Sequence, residues 1–133
     1  MIELERHFKG LADINRLRIL NLLFRGELCG CDIQYVLESS QPNISRHLQY
    51  LKNSGLVLDR RNGYRIYYRL AEPHIGLRKR LFEFLQLAFK GAEPFRSDVK
   101  KLKEAISQGA CSLSEVKGAT AFNESKGAKS ARA

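Results

Sequence analysis

Ser39-Ser-Gln-Pro-Asn-Ile-Ser-Arg-His-Leu-Gln-Tyr-Leu-Lys-Asn-Ser-Gly-Leu56 reads as a short helix with both ends marked. Ser40 suits the N-cap, where its hydroxyl accepts an orphan backbone N–H of the first turn. Pro42 falls in that turn, where a missing N–H costs nothing. Gly55 stands just past the last apolar position, where a left-handed residue is wanted. Ile44, Leu48 and Leu51 recur at i, i+4 and i+7 and make one apolar stripe. The other face offers Gln41, Asn43, Ser45, Arg46, Gln49 and Lys52, and no acidic residue occurs between Gln41 and Leu58. A solvated helix of this size usually carries Glu and Lys one turn apart. This face suits an anion.

The flanking segments give the helix its context. Upstream, Asp32 to Glu38 forms a short helix with Ile33, Val36 and Leu37 inward, and Ser39-Ser40 turns tightly into the next one. Two short helices so joined, the second polar and basic outside, are a helix-turn-helix. Downstream, Asn62-Gly63 is a strong hairpin signal between the β-prone runs Val57–Arg61 and Tyr64–Leu70. Arg60, Arg61 and Arg65 cluster at its tip, which makes the hairpin a basic wing. The fold expected is mostly α: a winged helix-turn-helix of five core helices and a two-stranded wing.

The remaining helices follow from apolar spacing. Ile2–Leu11 is the first. Ile14–Phe24, capped by Asp13 and ended by Gly26, has a wide apolar face and belongs at the centre. His74–Lys90 carries Leu81, Phe82, Phe84, Leu85, Leu87 and Phe89 on more than one side. So small a domain offers too little core for it, so a second copy of the chain is expected to cover it. Residues 1–92 thus read as a DNA-binding and dimerisation domain. Residues 93–111 are an extension in which Val99, Leu102 and Ile106 outline a helix over Ser97–Ser107. Residues 112–133 lack periodicity and are expected to be disordered.

Composition agrees. Lys and Arg number 23 against 14 Asp and Glu, a net charge of +9. Between residues 41 and 70, six basic residues face Asp59 alone, which favours nucleic acid or an anionic surface as partner, and the helix-turn-helix directs that expectation to double-stranded DNA. No apolar run approaches the roughly 20 residues of a membrane span, and the start has no secretory pattern. Three cysteines, two of them in a C-x-C pair, do not make a disulfide framework, so the cytoplasm is the expected compartment. No base lies near Cys29 in sequence, and no phosphate-cradling or oxyanion loop is visible, which argues against an enzyme.

Arg16-Leu-Arg-Ile-Leu20, Glu27-Leu-Cys-Gly-Cys-Asp32, Ser40-Gln-Pro-Asn-Ile-Ser-Arg-His-Leu48 and Gly55-Leu-Val57, followed by the basic hairpin, resemble the ArsR/SmtB family of bacterial metal-sensing repressors. Within it the chain is most similar to the arsenical-resistance repressors. The likeness covers roughly residues 4 to 90. It implies a homodimer that sits on a palindromic operator and lets go when a thiophilic ion binds. It also places Gln41, Pro42, Ser45 and Arg46 against DNA. Asn43, Gln49, Arg60, Arg61 and Arg65 are DNA-facing by their own chemistry and position.

The sensing chemistry falls on Cys29 and Cys31, at the start of the third helix. A helix N-terminus favours the thiolate, and soft thiolates suit soft ions. Side chains at i and i+2 diverge on a regular helix, so one ion on both sulfurs is expected to distort the first turn. As(III) and Sb(III), the expected inducers, prefer three sulfurs. The resemblance places a third cysteine three residues after the second, where this chain has Gln34. Three options follow: a two-sulfur site completed by water or an organic group, Cys111 as third ligand, or altered specificity. Cadmium or lead are alternative inducers. A redox or persulfide sensor is another reading; because a C-x-C disulfide closes a small ring, Cys111 would be its resolving partner.

Overall fold

The computed structural model describes residues 2–74 and 76–109. The chain runs α1 (Ile2–Leu11), α2 (Ile14–Leu23), β1 (Leu28–Cys29), α3 (Gly30–Leu37), α4 (Gln41–Asn53), β2 (Val57–Asn62), β3 (Arg65–Leu70), α5 (Gly76–Phe89) and α6 (Phe95–Gln108). It is a winged helix-turn-helix. No helix among the described residues is long and apolar enough to cross a membrane.

Local chemistry sets the helix ends. Asp13 caps α2 by accepting the backbone N–H groups of Asn15 and Arg16, and Ser40 caps α4 by accepting that of Asn43. Ile19, Leu20, Leu22 and Leu23 of α2 are buried and meet Ile33 and Val36 of α3, Ile44, Leu48 and Leu51 of α4, and Leu81, Phe82 and Leu85 of α5. At about 25 cal/mol per Å² of apolar surface removed from water, this shared centre supplies most of the drive to fold.

The structure departs from the sequence reading, or adds to it, in three places. A short strand, Leu28–Cys29, precedes α3 and pairs antiparallel with β3, so the sheet has three strands in the order β1-β3-β2. The hairpin loop is Gly63-Tyr64, with Asn62 in the ladder opposite Arg65 and Gly63 at φ +70°. Glycine at the first position of a two-residue loop suits the twist of the strands. His7, to which apolar spacing assigned no place, is fully buried, and its Nδ1 donates to Ser54 O at 2.7 Å. The close approach depends on Gly10, where a Cβ would lie 2.6 Å from Ser54 Oγ.

The helix expected over Ser97–Ser107 is α6, which runs Phe95–Gln108 and packs against the body of the domain as a sixth helix. Leu102 and Ala105 are buried. Arg18 of α2 donates two hydrogen bonds, 2.7 and 2.9 Å, to the carboxylate of Asp98, and Lys101 pairs with Glu38. Glu38 holds the α3–α4 turn at φ +52°, a left-handed conformation that closes α3. Cys111 and the 112–133 tail lie outside the described residues.

Candidate thiol site and nucleic-acid interface

The polar face of α4 is held by its own hydrogen bonds. Ser39 Oγ accepts from the Asn43 amide at 2.7 Å, and the Asn43 carbonyl oxygen accepts from Arg46. Arg46 and Ser45 are exposed, as are Gln41, Pro42 and Gln49, with Gln49 donating to Asn53 at 3.1 Å. Asn43 is half-buried because it braces Arg46, and Ser39, which the sequence showed only as a turn residue, anchors the pair. His47 lies on the inner side; burial holds its imidazole below the ordinary value, with Arg16 and Arg46 adding to the effect and Asp13 opposing it.

The three wing arginines have three different surroundings. Arg61 is exposed. Arg60 donates two hydrogen bonds of 2.8 Å to Glu27 and lies over the ring of Tyr67, 4.8 Å from its centroid. Arg65, the first residue after the hairpin loop, is half-buried, with Nη1 3.3 Å from the Tyr67 hydroxyl. Glu27 precedes Cys29 by two residues, so the acid that holds Arg60 lies beside the cysteine pair.

Cys29 ends β1 opposite Tyr67 and is also the N-cap of α3, in an extended conformation with no side-chain capping bond. That placement answers the geometric objection to a C-x-C pair. Cys29 is off the helix, its Cα lies 5.4 Å from that of Cys31, and the two sulfurs are joined as a disulfide. The first turn of α3 need not unwind to bring them together, and Cys111 is not required as the resolving partner. Cys29 is buried despite its polar neighbours Glu27 and Asp32, with only 2% of its surface reaching solvent. Asp32, in the first turn of α3, is buried as well, and its Oδ2 lies 3.8 Å from Cys29 Sγ.

Among the described residues, the donor atoms of Cys29, Cys31 and Asp32 lie within 4.8 Å of one another. Two soft sulfurs and one hard oxygen suit a thiophilic ion better than magnesium or calcium. Sequence reasoning left Asp32 out of the donor set; its signal was the i, i+3 spacing from Cys29. A cleft of about 210 Å³ adjoins the pair and touches Gln41 and Ser45 of α4 and Tyr64, Ile66 and Tyr68 of the hairpin. The cysteine pair, α4 and the hairpin therefore meet at one place.

A disulfide cannot ligate until it gains two electrons and two protons. Protein oxidised with diamide is expected to bind no As(III). Reduction by a phosphine, which takes up the oxygen of water as two thiols form, should restore binding. Arsenite uptake by the fully oxidised protein, followed by arsenic mass, would refute this.

Residues 13–58 match the family described as bacterial regulatory protein, arsR family. The arsenical resistance operon repressor of Escherichia coli (strain K12) is 56% identical over 69 residues, which are 51% of this chain and 58% of that protein. The homodimeric winged helix-turn-helix DNA-binding domain of a possible ArsR-family transcriptional regulator from Mycobacterium bovis superposes with a TM-score of 0.58 at 38% identity, covering 65% of this chain and 77% of that one. The AntR antimony-specific transcriptional repressor gives a TM-score of 0.54 at 31% identity, covering 65% of this chain and 73% of that one. The chain belongs to the arsR family of bacterial regulatory proteins. It spans about half the length of the curated relatives it matches.

Proposed function

We propose that this chain is a metalloid-responsive transcriptional repressor, a homodimer that holds operator DNA and releases it when As(III) or Sb(III) binds cysteine thiolates. The observation that carries the reading is the position of the cysteine pair, at the sheet edge and at the N-cap of α3, the first helix of the helix-turn-helix. Cys29 and Cys31 are the sulfur ligands, with Cys111 as candidate third. Gln41, Pro42, Asn43, Ser45, Arg46 and Gln49 face the major groove, and Arg61 of the wing faces phosphate. Similarity to an arsenical and to an antimony repressor supports this choice of inducer. The test is fluorescence anisotropy of labelled operator titrated with As(III) after phosphine reduction: release supports the reading, and none at saturating ion refutes it.

The dimer rests on apolar exposure. Phe84 and Leu87 of α5 are 64% and 75% exposed, and Ile2, Phe8 and Ile14 stand open on α1 and α2. Isolated exposed apolar residues are ordinary, but Phe84 and Leu87 lie on the helix for which a second copy was expected as cover. Sedimentation at micromolar concentration should give a dimer, and Phe84→Glu with Leu87→Glu should give a monomer of weakened operator affinity. A soluble wild-type monomer would defeat the assignment.

A second reading is favoured by the sulfur–sulfur bond itself: the pair responds to oxidants on the same frame. Operator release by diamide with arsenic absent would select it.

A further inference from the structure

Away from the cysteine pair and the reading helix, α2, α5 and α6 enclose a groove of about 560 Å³. That volume falls within the roughly 300–1,000 Å³ of ordinary small-molecule sites. Its floor is aromatic: Phe89 stacks on Phe95 at 4.2 Å between centroids, and Phe24 lies 6.2 Å from Phe89. Asn21 donates to Phe95 O at 3.0 Å and fixes the start of α6 against α2. The rim is basic, with Arg25, Lys90, Arg96, Lys100 and Lys103 and no acidic lining residue. Among the described residues, Arg96 pairs with Glu93, and the other four cations have no ion pair.

The five rim cations do not serve the packing of α6, which the Phe95–Phe89 stack, Asp98, Lys101 and Leu102 secure. We propose that this groove binds a small aromatic carboxylate, its ring system on the phenylalanine floor and its anion among the rim cations. Charge complementarity selects this occupant. A second copy laying the same all-basic rim on this groove is repelled there, and residues 110–133 hold four basic residues against two acidic ones.

The test uses the full chain and 2-naphthoate, titrated by calorimetry, with neutral 2-naphthamide as control. One naphthoate per chain is expected, with much weaker naphthamide binding. Exposed charges are individually weak, so Lys100→Glu with Lys103→Glu should loosen naphthoate roughly ten-fold, through two lost attractions and two new repulsions. Arg61→Glu, far along the chain on the wing, should leave it unchanged. Equal loss in Arg61→Glu would mean attraction to net charge alone and overturn the proposal. So would equal binding of naphthamide, or a Lys100/Lys103 variant that loses operator affinity while keeping naphthoate, since the groove would then be a phosphate contact.

Discussion

Replacing Cys29 or Cys31 with serine is expected to leave operator affinity intact and to abolish release by As(III). The thiolates are needed for the ion alone, because α3 is held by Ile33, Val36 and Leu37 in the core. Cys29 is an N-cap whose side chain makes no capping bond. A serine hydroxyl there can accept a first-turn N–H, so the buried oxygen is satisfied and the fold survives. In the parent protein, release should weaken operator binding roughly 5–150-fold, the usual span of coupling between two sites. Only a difference in ion affinity between the two forms can produce that shift. Cys111→Ser then addresses the third ligand: if arsenite fails while a methylated trivalent arsenical, which needs two sulfurs, still works, Cys111 completes the site. A Cys29→Ser protein that leaves DNA on adding arsenite would sink the sensor assignment.

Arg46→Ala should cost about 1–3 kcal/mol on the operator and relax specificity, the usual worth of a bidentate guanine contact. Asn43 and Ser39 hold the guanidinium in place beforehand, so Asn43→Ala should reproduce part of the loss. Wing arginines should behave differently from Arg46 and from each other. Arg61→Ala should weaken operator and random DNA alike and flatten the salt dependence by about one unit per subunit. Arg60→Ala should do less, because Arg60 is already paired with Glu27. Glu27→Gln should free it, tighten all DNA, steepen the salt slope and blunt release by the ion. Equal losses on operator and random DNA for Arg46 and Arg61 would erase this division of labour.

Where the determinants are local, the chain could be read directly. Ser40, Asp13 and the Ile44-Leu48-Leu51 stripe act within one or two turns, and the helices they define lie where expected. What escaped depends on contacts between distant residues. Leu28 and Cys29 look like a loop until Tyr68 and Tyr67 are set beside them. Arg60 looks like a free cation until Glu27, 33 residues earlier, is brought to it. His7 looks like a surface residue until Gly10 lets α1 settle on Ser54. The candidate site was therefore legible as a set of residue types, while its burial, its carboxylate and its tie to the wing came from folding.

The ladder that sets Cys29 opposite Tyr67 makes the sensor strand part of the same sheet as the wing. Coupling of binding free energies is reciprocal. If the ion loosens the operator, the operator must loosen the ion by the same factor. Each copy of the operator then acts as a reservoir of chains with poor appetite for arsenic. The arsenite that half-saturates the chain should therefore rise as operator DNA is added, and its limiting rise should equal the factor by which saturating arsenite weakens operator binding.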